Sequence, residues 1–171
     1  VFPLNREGYR SPFLIQKKEE LYMPCNRYCK STVNAYTNVS TTLATGALMP
    51  INTNYKITGN SIRHTAGSTA INIVKAGLYE VSFYATSTIG ATAGAVSLQL
   101  YRNGVAVPSG VASQTPTAAT DIESFAGGAI IEVNDACCGA GVGSSSVDLT
   151  FVNTGVEGVY SYFSVKVVKI A

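Results

Sequence analysis

The sequence predicts an all-β protein: one antiparallel β-sandwich preceded by an extended N-terminal arm. Three observations carry that expectation. First, Gly77–Ser87 alternates strictly, with Tyr79, Val81, Phe83 and Ala85 pointing one way and Leu78, Glu80, Ser82 and Tyr84 the other. This is the two-residue period of a half-buried strand. Second, short runs of this kind recur from residue 43 onward, separated by Gly, Asn and Pro, and no long helical period interrupts them. Third, 171 residues suffice for one well-buried core but crowd two.

Composition narrows the role. Charged residues make up 13% of the chain and the net charge is +2, against roughly 25% charged in ordinary soluble domains. So small a charge argues against a nucleic-acid partner. No apolar run reaches the ~18 residues of a membrane span, and the first residues carry no basic-then-apolar leader. A body this poor in charge hides surface or meets water through hydroxyls. Hiding it points to an obligate oligomer, whose interfaces resemble a divided core.

Residues 1–42 read as a separate anchoring arm. Residues 1–30 hold six of the 12 basic and three of the 10 acidic side chains. Pro3, Gly8, Pro12 and Pro24 break the segment, and it cannot bury a core of its own. Its apolar and aromatic residues Phe2, Leu4, Tyr9, Phe13, Leu14, Ile15 and Tyr22 point to docking on a neighbouring subunit, a capsid or a surface-layer protein. Val33–Thr42 is polar and β-prone, and is placed with the arm.

The body, 43–171, then unfolds in order. Ala47–Asn52 contains Pro50 and suits an edge or bend. Ser61–Thr65 and Ala70–Val74 are strands split by Ala66-Gly67. Gly77–Ser87 follows, then a small-residue loop at Gly90–Gly94. Ala95–Arg102 places Val96, Leu98 and Leu100 inward. Asn103-Gly104 signals a tight hairpin, because its turn needs positive φ. Val105 and Val107 return until Pro108 interrupts them, and Val111–Thr120 is a loose strand or loop. Asp121–Val133 is a strand bent or bulged at Gly127-Gly128. Ala136–Ser146 is a loop. Val147, Leu149 and Phe151 form another inward row, and Asn153–Gly158 turns the chain. The last strand, Val159–Ile170, sets Val159, Phe163, Val165 and Val167 on one face, and Tyr160, Tyr162, Lys166, Val168 and Ile170 on the other. Two apolar-rich faces imply cover on both sides, the second from a partner subunit.

Four of these stretches carry a family resemblance. GLYEVSF at Gly77–Phe83 resembles a conserved strand of the complement and tumour-necrosis-factor jelly rolls. VSLQLYRNGVAV at Val96–Val107 resembles the hairpin after it. LTFVNTG at Leu149–Gly155 and SVKVVKIA at Ser164–Ala171 are similar to the ending of bacterial members. Those include the C-terminal domains of collagen-like spore-surface glycoproteins, with related modules in phage head-fibre and decoration proteins. The resemblance implies a jelly roll of eight or ten strands that assembles as a compact homotrimer. It also implies aromatic residues on the threefold axis, for which Tyr84, Tyr101, Tyr160 and Tyr162 are the outward candidates. The chain lacks the Gly-X-Y repeat of the spore glycoproteins and has the 42-residue arm in its place.

No chemistry-bearing pattern competes. His64 is the single histidine and is expected to be structural or solvated, not a metal ligand at an axis. Asp121 and Glu123 share a strand face but read as a solvated pair, not a calcium site. No triad and no phosphate-binding glycine loop is present, so no catalytic residue, cofactor or metal is expected. Cys25, Cys29, Cys137 and Cys138 are candidates for disulfides or free thiols; adjacent cysteines such as Cys137 and Cys138 rarely bond to each other, because their Cα atoms lie closer than usual disulfide geometry allows. The expected role is a non-enzymatic structural protein at a virion surface, as a head fibre or capsid decoration. The alternatives are a filament subunit of a bacterial spore or cell surface, and a fibre tip that binds a receptor or cell-surface glycan.

Overall fold

A computed structural model of the chain describes residues 30–134 and 146–171. Among the described residues are eleven strands: β1 (Thr32–Thr37), β2 (Thr41–Leu43), β3 (Thr53–Thr58), β4 (Ile62–His64), β5 (Ala70–Ile73), β6 (Gly77–Ile89), β7 (Val96–Arg102), β8 (Val105–Gln114), β9 (Glu123–Val133), β10 (Val147–Asn153) and β11 (Gly158–Lys169). They build two antiparallel sheets. One has the order β3-β1-β11-β6-β9, with β2 also paired to β11; the other has the order β4-β5-β10-β7-β8. Strands distant in sequence are neighbours in both, which is the jelly-roll form of the sandwich.

The alternation in β6 sets the core. Tyr79, Val81, Phe83 and Ala85 are buried, as their period predicts, beside Phe163, Val165 and Val167 of β11. From the second sheet come Ile71, Ile73, Leu98, Leu100, Leu149 and Phe151. Phe151 joins the sheets: its ring meets Phe83 and Phe163 edge-on, with both centroid distances 5.1 Å. At the hairpin Asn103 has φ 49° and Gly104 φ 77°, the pair of positive values that a tight turn of matching twist requires.

Several expectations need correction. Residues 32–42, read as part of the arm, lie in the sandwich. β1 sits between β3 and β11 with Val33, Ala35 and Thr37 turned inward, and β2 pairs with the start of β11. Asn34 and Tyr36 occupy the outward positions of an ordinary alternation, and inward Thr37 donates its hydroxyl to Pro50 O at 2.7 Å. β3, unforeseen, is an edge strand, so its exposed TNYKIT residues carry little apolar signal. Pro108 does not end its strand: β8 continues to Gln114, and Pro108 falls where its register with β7 is interrupted, between the Tyr101–Ala106 and Gln99–Val111 pairs, so its missing N–H costs no ladder bond. Gly127 and Gly128 make no bulge. β9 stays in register with β6 throughout, and the glycines admit a close approach: a Cβ on Gly127 would lie 2.6 Å from Phe83 Cζ.

Candidate self-association face

The outer face of the six-stranded sheet concentrates exposed aromatic surface. Tyr84 on β6 and Tyr162 on β11 are 38% and 37% exposed, and Tyr36 on β1 is half-buried beside them. Their rings form a row. Tyr84 and Tyr162 have centroids 6.2 Å apart, and Tyr36 stacks on Tyr162 at 6.4 Å. Hydroxyls border it: Tyr84 Oη donates to Ser124 Oγ at 3.0 Å, and Thr86 Oγ1 bonds Ser161 Oγ at 2.8 Å. Tyrosine rings flanked by small hydroxyl groups give contact area at little entropic cost and suit protein–protein contact.

The four tyrosines expected together separate into three environments. Tyr84 and Tyr162 meet. Tyr101 lies on β7 in the other sheet, on the opposite side of the sandwich. Tyr160 is 1% exposed and belongs to the core. The cause is a bulge: the β11–β6 register shifts between Tyr160 and Tyr162, leaving Ser161 unpaired. One extra residue reverses the faces on either side of it, so Tyr160 turns inward although it lies two residues from outward Tyr162. Tyr36 was missed because its strand was assigned to the arm; the Val33-Ala35-Thr37 alternation was the available signal.

Buried Tyr160 belongs to a polar hub. Its Oη donates to Ser97 O at 3.3 Å and to Asn153 Oδ1 at 3.2 Å. Asn153 is fully buried, and its Nδ2 donates to Leu43 O at 2.8 Å and Val156 O at 2.9 Å, while Gly155 N donates to its Oδ1 at 3.1 Å. These bonds tie β2, β7 and the β10–β11 turn together. Burial pushes the Tyr160 phenol up, so it stays a donor.

The other candidates resolve without chemistry. His64 is buried and spans the two sheet edges: Nδ1 is in contact with Asn54 Oδ1 on β3, and Nε2 faces Ser68 O at 3.3 Å. Asn54 Nδ2 donates to His64 O at 3.1 Å, which orients the amide oxygen toward the ring. Desolvation by burial lowers the His64 pKa, partly opposed by Ser68. Asp121 accepts bonds from Thr117 Oγ1 at 2.6 Å and Ala118 N at 2.8 Å; these, the Thr117 hydroxyl first, hold its carboxyl below the usual range. Among the described residues no group of three or more His, Cys, Asp or Glu could hold a metal ion, and no helix is long and apolar enough to cross a membrane. Cys25, Cys29, Cys137, Cys138 and the arm residues Phe2, Leu4, Tyr9, Phe13, Leu14, Ile15 and Tyr22 lie outside the described residues.

A six-stranded and a five-stranded antiparallel sheet in these strand orders have the jelly-roll fold of complement and tumour-necrosis-factor domains. Among solved structures, the globular domain of zebrafish Complement 1qA protein matches with a TM-score of 0.62 at 10% identity, covering 83% of this chain and 98% of that one. Eiger TNF from S. frugiperda matches at 0.56 with 15% identity, covering 83% of this chain and 92% of its own. The PRD1 vertex protein P5 matches at 0.54 with 15% identity, covering 82% and 97%. No family model and no curated protein matches the chain in sequence.

Proposed function

We propose that this chain is a non-enzymatic structural protein that assembles as a homotrimer through the outer face of its six-stranded sheet and decorates a virion surface. The observation that carries the reading is the Tyr36–Tyr162–Tyr84 row. It is an aromatic strip on a lightly charged face, and it has no covering element among the described residues. Such a strip is the kind of surface that subunit contacts bury. The fold shared with a PRD1 vertex protein supports the virion setting. Residues 1–29 serve as the anchor to a capsid or surface-layer protein. The spore-surface alternative rests on sequence motifs alone, and the glycan-binding one on the loops that such trimers present.

Native mass spectrometry of the full chain at micromolar concentration tests the assembly. The expected mass is three times the 17.9 kDa of one chain. Tyr84→Lys with Tyr162→Lys should give a folded monomer, since each site is more than a third exposed. A monomeric parent chain overturns the reading. Antibody against the sandwich should label intact virions; failure to label them removes the virion setting and leaves the trimer standing.

A further inference from the structure

A second apolar patch lies on the same outer face, at the opposite end from the β10–β11 turn. Ile130 of β9 is 66% exposed, and Leu78 of β6 and Ile170 beyond β11 are also exposed. They adjoin. Ile170 N donates to Leu78 O at 2.8 Å and Leu78 N to Ala171 O at 2.9 Å. Ile130 pairs with Glu80, one diagonal step from Leu78, a separation of roughly 7–8 Å. Half-buried Val168 extends the patch toward β1.

The chain arrives beside this patch. Thr32 pairs with Val168, and Lys169 N donates to Ser31 O at 2.9 Å. Lys30 is therefore about one strand spacing, ~4.8 Å, from the line of Ile170, and Ile130 lies about three spacings, ~14 Å, across the sheet. Tyr22 precedes Lys30 by eight residues, a reach of up to ~26 Å when extended. Charge adds little: Glu80 and Glu132 flank Ile130 on this face, Lys166 lies one diagonal step from Glu80, and the Phe13–Tyr22 run balances Lys17 and Lys18 against Glu19 and Glu20. The length of chain before Lys30 and its point of entry beside the patch are what favour this occupant.

We propose that the Leu78–Ile130–Ile170 patch is the docking site for residues 1–29 of the same chain, which lay Tyr22 and the Phe13–Ile15 run over it. Leu78 and Tyr84 are six residues apart on one strand, about 20 Å, so the docked segment leaves the tyrosine row uncovered. Residues before Phe13 remain to reach a separate surface. The proposal goes beyond the trimer reading and stands independently of it.

Limited trypsin digestion of the full chain under reducing conditions, followed by mass spectrometry, tests it. Cleavage after Lys17 and Lys18 should be at least ten-fold slower than in a synthetic peptide of residues 1–29. Leu78→Lys with Ile130→Lys, or Ile130→Lys alone should the double variant unfold, should restore the peptide's rate with circular dichroism unchanged. Equal rates for parent chain and peptide overturn the proposal, as does a folded variant cleaved no faster than the parent. If the variant loses its oligomeric mass while cleavage stays slow, the patch belongs to the copy–copy contact and the docking fails while the trimer survives. A monomeric parent with a protected segment gives the converse.

Discussion

Tyr160 and Tyr162 illustrate how much one residue's environment decides. Removing the Tyr160 hydroxyl strips a donor from Ser97 O and Asn153 Oδ1 in a site closed to water. Both acceptors keep a second donor, Thr154 N on Ser97 O and Gly155 N on Asn153 Oδ1, so the loss is that of one net hydrogen bond, about 0.5–1.5 kcal/mol. Tyr160→Phe should therefore lower stability by about that amount in urea titration, with the oligomeric mass unchanged. Tyr162→Phe should stay within about 0.5 kcal/mol, as exposed sites do. His64 gives the pH dependence. Burial holds its folded pKa below the ordinary 6.5, so below pH 6.5 the unfolded chain binds a proton that the folded chain resists. The contribution is whole above pH 6.5 and is lost as pH falls through 6.5 toward the folded value. The urea midpoint should fall between pH 7.5 and 5.5, and His64→Gln should flatten that fall; an unchanged slope in the variant rules His64 out as the source. That His64 is structural or solvated was open to sequence inspection, because it is a lone histidine on a short strand. Its role as a bridge between sheet edges was not, since Asn54 and Ser68 are brought to it by β3 and the β4–β5 connection.

At the scale of the element, the bulge in β11 decides which face meets the core. Val159–Ile170 reads as one unbroken alternation, and on that pattern Tyr160 shares a face with Tyr162. The register shift at Ser161 instead lets Tyr160 join Phe163 and Val165 inside. Deleting Ser161 would force either Tyr160 out of the core or Phe163, Val165 and Val167 onto the outer face. We expect loss of the cooperative thermal transition in that variant, whereas Ser161→Ala, at an exposed site, should melt within a few degrees of the parent. A cooperative melt at the parent's temperature after the deletion would show that the bulge is dispensable. Other elements were open to reading in proportion to their apolar contrast. β6, β7 and β10 alternate clearly. β1 carries the same period in smaller residues, and β3 on the sheet edge has almost none. A bulge leaves no residue signature here, because Ser161 is as ordinary in a regular outward position as in an irregular one.

For the whole molecule, surface composition and topology combine. A chain with 13% charged residues presents one sheet face with two apolar areas, the tyrosine row and the Leu78–Ile130–Ile170 patch. In the proposed trimer, sharing the first among three copies would stabilise the folded chain by mass action. The melting temperature should accordingly rise over a hundred-fold increase in protein concentration, and Tyr84→Lys with Tyr162→Lys should abolish that rise. A melting temperature independent of concentration in the parent chain would contradict the trimer.

The fold class, the inward row of β6 and the Asn103-Gly104 hairpin were determined by the sequence alone, because each is a local pattern of residue types along the chain. The membership of β1 in the sheet, the inward turn of Tyr160, the separation of Tyr101 from Tyr84 and the meeting of Tyr36 with Tyr162 were decided only in the tertiary structure. Each depends on which strands lie side by side and in what register. Strand pairing joins residues more than a hundred positions apart, such as Ala35 and Val165. A two-residue period fixes a side chain's direction only relative to its own strand.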